Sequence, residues 1–416
     1  MRNDASGAQT TAVDIRAAYT DLVEGTLRAG TRGNVLFCVS DDDLTAGKGD
    51  LYVAGGLARA LHADGWGVSL WTIDRMAEQT PDDIDVAVVM IESWVPGYIH
   101  PATKVVAWVR NWTEDWAALP YLDEFAEIWC SSGDSAAAIA EVYAGSVRVV
   151  PLATDPQLFT PDDGERTTPV VTTANYWGVA RAVQPALERV ATEYPVTWFG
   201  VNSAFLQLAD GIDHRDAIDY FALPGVYATS RIVVDDLIGA AAQYGNQNSR
   251  LFDALASGAL VVTNESRGLD ELGLSEVAVY DTPDRLLDVV RGILGDPDAA
   301  AATGERLRRI VLAQHTWEAR ARMLREPLEA LVAREGVERR SAMLVWATEL
   351  REAMRRDRRA HDDYSAMYYG AAREAERLNG ELQHLKALHE QRRYRAADAV
   401  MAPATAVRRR LRGQRG

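Results

Sequence analysis

The sequence predicts an α/β protein: two Rossmann-like domains facing a cleft, plus a C-terminal helical extension. Three observations lead there. Short apolar runs of strand type alternate with helical patterns twice over, a stretch rich in Pro, Asp and Thr separates the two series, and beyond Arg334 the character changes to long, uninterrupted helix. Strands joined by helices form βαβ units and parallel sheets, with ligands bound outside the carboxyl ends of the strands. After a polar lead-in over 1–32, the first series reads NVLFCVS (34–40), VSLWTI (68–73), IDVAVVMIE (84–92), KVVAWVRN (104–111), EIWCSS (127–132) and VRVVPL (147–152). Helices are expected around 52–64 and 134–143, which gives a first domain over 33–155. Residues 156–168 read as a linker, anchored by Asp-Pro-x-x-Phe-x-Pro, where Pro fixes φ and Phe159 packs. The second series reads VVTTANYW (170–177), a helix near 180–193, VTWFGV (196–201), RIVVD (231–235), ALVVT (259–263) and VAVYD (277–281). Helical patterns then run on through RLLDVVRGIL and ERLRRIVLAQHTWEARARMLREPLEALV, closing a second domain over 169–334.

Composition bounds what such a chain can do. At 416 residues it exceeds one ordinary domain, and 48% hydrophobic with 25% charged residues is the balance of a globular protein. No run of eighteen apolar residues marks a membrane span. The start MRNDASGAQTTAVDIR shows neither a charged n-region nor an apolar h-region, so a cytoplasmic protein is expected. Cys38 and Cys130, both within apolar strand patterns, read as buried thiols rather than a disulfide or metal site. The formal charge of −16 argues against a nucleic-acid partner. That charge is uneven: from Glu335 onward 18 Lys and Arg stand against 12 Asp and Glu, a net of +6, leaving −22 on the first 334 residues.

The extension over 335–400 is long helix without proline until Pro403. A 4–3 spacing runs Met343, Ala347, Leu350, Met354, Asp357, His361, Tyr364, Tyr368, Ala371, Ala375, Leu378, Leu382, Leu385, close to a coiled-coil seam and weakened at Asp357 and His361. A pair of amphipathic helices packed on the body stays open as the other reading. The tail over 401–416 carries Arg408, Arg409, Arg410, Arg412 and Arg415. Residues 335–416 are therefore expected to meet an anionic membrane surface or a second copy of the chain.

The most informative segment is Asn248 to Gly273, NSRLFDALASGALVVTNESRGLDELG. An amphipathic helix starts on Asn248 and Ser249, stops at Gly258 and runs into a buried strand. Arg250 falls in its first turn, where a cation opposes the helix dipole. A bound anion such as a diphosphate would relieve that conflict. An ordinary helix whose Arg250 reaches into solvent fits the same pattern, and both readings stay open.

This segment resembles the nucleotide-binding helix of group-1, family 4-like glycosyltransferases, two-domain enzymes of the GT-B fold, in the branch related to spore-maturation-type transferases. The resemblance spans residues 34 to about 325. In many of these enzymes a Glu-x7-Glu motif spans the helix, its second Glu contacting the ribose of a nucleotide sugar and its first the donor sugar or phosphate. Asp253 stands where the second Glu would, and Gly245 where the first would. The absence of the first Glu shifts the expected donor contacts to Asn246, Asn248, Ser249 and Arg250. Gly178 and Arg181 of TTANYWGVAR match the phosphate loop opening the donor half, without the Lys usual there. Gly47 and Gly49 of TAGKGDLYVAGGLARAL match the glycine-rich loop facing acceptor and donor phosphate, and Arg110 and Asn111 end a strand on the acceptor side. His100 is a weaker acceptor-side candidate, and His315 reads as packing. Asp41, Asp42 and Asp43 form a DxD, a metal motif in the GT-A fold; a solvated acidic loop suits a two-domain chain better.

What the resemblance implies is transfer of a sugar from a nucleotide diphosphate sugar to a glycan, lipid-linked or protein hydroxyl acceptor, in bacterial surface-glycan or glycoconjugate synthesis. It implies no metal and no cofactor beyond the donor substrate, retention of configuration, and a place in the cytoplasm or at the inner face of the membrane. No catalytic residue or general base is identified. Two other readings stay open: a nucleotide-sugar epimerase of the same fold, against which the seven scattered histidines count, and a catalytically silent scaffold.

Overall fold

The computed structural model describes residues 15–162, 164–175, 181–200, 208–336 and 339, with scattered helical positions between 347 and 393. Residues 1–346 form one compact unit and 347–416 another. The first unit holds two lobes, each built on a six-stranded, wholly parallel sheet.

In the first lobe the strands are β1 (Asn34–Val39), β2 (Gly67–Thr72), β3 (Val86–Val89), β4 (Lys104–Val109), β5 (Glu127–Cys130) and β6 (Ser146–Val149), ordered β2-β1-β3-β4-β5-β6. Helix α1 covers 15–23; α2 (Gly49–Ala63), α3 (Thr113–Ala117) and α4 (Gly133–Ala140) follow. All four residues of β3 are buried, as a strand sandwiched between helices requires. Cys38 and Cys130 are free and buried, and burial pushes both thiols up, Cys130 to about 12.

The second lobe contains β7 (Thr168–Thr173), β8 (Val196–Phe199), β9 (Ile212–Arg215), β10 (Ser230–Val234), β11 (Leu260–Thr263) and β12 (Ala278–Val279), ordered β12-β11-β10-β7-β8-β9. Its helices are α5 (Val183–Ala191), α6 (Leu223–Thr229), α7 (Gly239–Ala242), α8 (Ser249–Ala256), α9 (Pro283–Gly295) and α10 (Pro297–Gln314). Strand β9 is absent from the expectations above. It is an edge strand, reads IDHR, and buries only Ile212, so it lacks the apolar run that marks a central strand.

The helical run expected to continue to 334 is broken. Thr316 accepts from the Ala319 amide and caps a new helix, α11 (Trp317–Ala333). At the break, Thr154 donates to the His315 carbonyl at 3.0 Å and accepts from the Trp317 amide at 3.0 Å. Helix α11 then lies on α2 of the first lobe, where Gly56 makes room for the Trp317 indole and Asp64 pairs with Arg325. The chain thus crosses back, and a sequence boundary at 334 leaves α11 with the wrong lobe.

His315 sits in this crossing as packing. Its Nε2 bonds the Leu272 carbonyl at 2.8 Å, and the Arg320 guanidinium lies 2.8 Å from its Nδ1. Burial lowers its pKa to about 4 despite the Leu272 bond. A depressed imidazole means the unfolded chain binds the proton more readily between pH 6.5 and 4. Stability is therefore expected to be intact above pH 6.5 and to fall by about 3 kcal/mol as pH drops to 4. Denaturant midpoints across that window, for wild type against His315→Gln, measure this share; the variant should show a shallower fall.

In the second unit the described positions are helical, and Leu350, Met354, Leu378, Leu382 and Leu385 of the expected seam are exposed. Other seam positions, Met343, His361, Tyr364, Tyr368 and Ala371, and the tail over 401–416, lie outside the described residues.

Candidate active site

The carboxyl ends of both sheets meet at a cleft of about 450 Å³ between the lobes. From the first lobe come Leu44 to Gly47, Gly49 and Tyr52, on the loop after β1 and the first turn of α2. From the second come Thr173 and Asn175 at the end of β7, Phe199 and Gly200 at the end of β8, Asp219 and Tyr220, Tyr227, and Ser249, Arg250 and Asp253 of α8. Gly47 has φ of +66°, a conformation that lets the loop turn back and bring bare backbone to the cleft. The rings of Tyr52 and Tyr220 stack across the lobes at 4.0 Å, and Tyr52 donates to the Leu44 carbonyl at 2.8 Å, fixing the loop. Burial pushes the Tyr52 phenol up to about 12 and Tyr220 well above its usual value, so both stay neutral.

Helix α8 delivers the charged part of the site. Asn248 makes no capping bond to the helix and donates instead to Asp235 at 3.0 Å, leaving the first turn without a side-chain cap. Arg250 is fixed in place: Nε donates to the Thr173 hydroxyl at 2.8 Å, Nη2 to the Thr173 carbonyl at 2.5 Å, and Nη1 pairs with Asp235. Burial works against its charge, but Asp235, Tyr227 and Asp236 together outweigh it and hold the guanidinium above its usual value. Those bonds use three of its five N–H donors. Next to it, Arg181 Nε lies 2.8 Å from Asp236, a carboxyl that burial pushes up and Arg181 pulls down. Two arginines and two aspartates thus form one buried cluster at the end of β10. Neither cation is bare.

Asp253 lies at the base of the cleft, 4% exposed, and accepts from the Thr154 hydroxyl at 2.6 Å. Burial raises its pKa well above the usual carboxyl value, against the Thr154 bond. With the folded pKa raised, stability is fully present below pH 3.8 and declines as pH rises through the folded pKa. Asp253→Asn keeps the Thr154 acceptor and removes that penalty. Its melting temperature is expected to exceed wild type at pH 8 and to converge with it at pH 4, as a thermal scan at both values reads.

Several residues expected here are elsewhere. Asn246 is buried between the lobes, where its Oδ1 accepts from Ser131 at 2.7 Å and Ser132 at 2.8 Å; it pins the lobes and does not line the cleft. Arg181 and Asn248 stand behind Arg250 in the aspartate cluster and not on the cleft wall. Arg110 donates to the Met90 carbonyl at 2.8 Å within the first lobe, and neither it nor Asn111 lines the cleft. His100 precedes β4, at the end of the sheet away from the cleft. Gly178 lies outside the described residues. Gly47, Gly49, Ser249, Arg250 and Asp253 do come together. The acidic loop is tied to itself: Asp41 accepts from the Asp43 amide at 3.0 Å, and Asp43 from the Thr45 amide and hydroxyl, each at 2.8 Å. Those two Thr45 bonds lower the Asp43 pKa. Among the described residues no group of three or more His, Cys, Asp or Glu could hold a metal ion.

The residues the sequence did not single out are Asp235 and Asp236, Thr173, and the aromatic pair Tyr52 and Tyr220. A signal existed for the first two: adjacent acids end the apolar run RIVVDD at the carboxyl edge of a parallel sheet.

Residues 179–326 match the family model described as glycosyl transferase-like. No curated protein matches the chain. Among solved structures the chain is similar to sucrose-phosphate synthase from Thermosynechococcus elongatus, at a TM-score of 0.56 and 16% identity over 72% of this chain and 99% of that one. It is similar to Anabaena HepE in complex with UDP-glucose, at 0.56 and 11% over 71% and 99%. A third is AviGT4, a glycosyltransferase involved in avilamycin A biosynthesis, at 0.51 and 14% over 72% and 98%. These likenesses show the fold, two parallel α/β lobes in the GT-B arrangement.

Proposed function

We propose that the chain transfers a sugar from a nucleotide diphosphate sugar, held in the cleft between the lobes, to a hydroxyl acceptor. The observation that carries this is the pairing of an uncapped first turn of α8, bearing Arg250, with the Gly47–Gly49 loop across one cleft. A glycosyl donor leaves behind a diphosphate that gains charge in the transition state. Preorganised amides and a fixed guanidinium stabilise such charge without reorganising. Arg250 supplies its two remaining N–H donors, Asp253 meets the ribose hydroxyls, and the stacked rings of Tyr52 and Tyr220 wall the cleft beside them. The phosphate charge falls to Arg250 and the start of α8, in a metal-independent reading of the site. The Anabaena neighbour bound to UDP-glucose makes uridine diphosphate sugars the first donors to test.

Retention of configuration and the spore-maturation branch rest on the motif alone. A role in surface-glycan or glycoconjugate synthesis, with a glycan, lipid-linked or protein acceptor, extends the same reading. So does attachment of residues 335–416 to an anionic membrane or a second copy, at the inner face of the membrane. No helix among the described residues is long and apolar enough to cross a membrane.

The neutralisation of Arg250 by Asp235 and of Arg181 by Asp236 favours a second reading, a catalytically silent binding module. Incubating the protein with a panel of nucleotide sugars, with and without hydroxyl acceptors, and assaying released nucleoside diphosphate separates the two. Acceptor-dependent release supports the transferase. Binding of a nucleotide sugar without release from any donor supports the silent module.

A further inference from the structure

A second cavity, of about 490 Å³, lies at the amino-terminal ends of β7, β10 and β11, the end of the second sheet away from the cleft. Leu260, Ile293 and Leu294 give it an apolar wall, and Arg166, Arg231 and Arg308 line it. Each arginine is held by backbone carbonyls. Arg166 donates to Ser230 at 2.7 Å, Ser257 at 2.8 Å and Tyr227 at 3.1 Å; Arg308 donates to Ala256 at 3.0 Å; Arg231 donates to Arg166 at 3.1 Å. Among the described residues none of the three is bonded to a carboxylate. Glu305 lines the same cavity but turns to Arg309 at 3.8 Å. Burial holds Arg166 below its usual pKa with no neighbouring acid to restore it. Arg181 and Arg250 in this lobe sit against aspartates, whereas Arg166 and Arg308 are half-buried against carbonyls at the ends of α6 and α8 and Arg231 is exposed. Among the described residues, three guanidiniums without a carboxylate partner thus ring one apolar space.

A glycine points the same way. Gly304 lies inside the 18-residue helix α10, where glycine costs about 1 kcal/mol against alanine. Nothing in the backbone calls for it. Its φ is not in the left-handed region, and a Cβ there would meet only the Leu260 side chain at 3.8 Å and the Gly258 carbonyl at 3.9 Å, ordinary contacts. What the missing side chain preserves is the cavity that Gly304 lines.

We propose that this cavity binds a small organic phosphate, an apolar body on the Leu260, Ile293 and Leu294 wall with its phosphate among Arg166, Arg231 and Arg308. A phosphate monoester carries nearly two charges and three acceptor oxygens, which suits several guanidiniums better than a carboxylate does. The site is separate from the cleft and does not depend on the transferase reading.

Calorimetric titration of the full chain with phenyl phosphate tests it, with inorganic phosphate and phenol as probes lacking the body or the charge. Phenyl phosphate is expected to bind at least tenfold more tightly than either and to keep its affinity at saturating UDP. Gly304→Leu fills the space with a better helix former, so binding should be lost while the melting temperature stays at or above wild type. Arg231→Gln, on an exposed side chain, should weaken binding about fivefold or more with the fold unchanged, and reads the site if the leucine variant folds poorly. The proposal is overturned if phenyl phosphate binds no better than inorganic phosphate, if UDP displaces it, or if both variants bind as wild type does.

Discussion

Replacing Arg250 by alanine is expected to abolish nucleoside diphosphate binding and to destabilise the protein by about 3–5 kcal/mol, because it strands Asp235, which is fully buried. The two effects have different causes and separate cleanly. Asp235→Asn combined with Arg250→Met removes both charges and leaves shapes that pack, so most of the stability should return while nucleotide affinity does not. Urea midpoints read the first effect and UDP titration the second. A double variant that regains nucleotide binding along with stability would show Arg250 to be scaffolding for α8 and would remove it from the site.

Gly245→Glu, which writes the missing acid of the Glu-x7-Glu pattern back into the chain, is expected to destabilise by at least ~2 kcal/mol without tightening donor binding. Gly245 has φ of +65°, and a Cβ there would lie 2.8 Å from the Arg267 carbonyl carbon and 2.9 Å from the Gly268 amide. These are backbone atoms, so no rotamer change relieves the contact. Gly268 in turn also has positive φ and packs on the Gly245 carbonyl. The two glycines let a pair of loops touch where the family pattern would extend a carboxylate. Gly245→Ala should lose nearly as much stability as the glutamate variant, which locates the cost in the backbone. A glutamate variant that folds as wild type and binds UDP-glucose more tightly would contradict this account.

What the sequence revealed followed from local physics. Buried parallel strands announce themselves as apolar runs, so NVLFCVS, KVVAWVRN and ALVVT became β1, β4 and β11 within a residue or two. The edge strand β9 stayed hidden because one face of IDHR meets solvent. Gly47, Gly49, Ser249, Arg250 and Asp253 were legible because helix starts and glycine turns at strand ends are local features. Asn246 and Arg181 were misplaced for the opposite reason. Their roles depend on Ser131, Ser132 and Asp236, partners on distant segments that only the packing of strands and lobes brings near. The break between α10 and α11 likewise hangs on Thr154. Its capping threonine was visible in HTWEAR, but the helical pattern on both sides masked it.

On the proposed function, one diphosphate bridges both lobes, seated on the start of α8 and facing the glycine loop after β1. Hydrogen exchange with and without saturating UDP measures this directly. Exchange is expected to slow in two separated stretches, 44–52 and 249–253, with the Arg166 and Arg308 region unchanged. Slowing confined to one lobe, or no slowing at a concentration where titration shows binding, would contradict the bridging diphosphate.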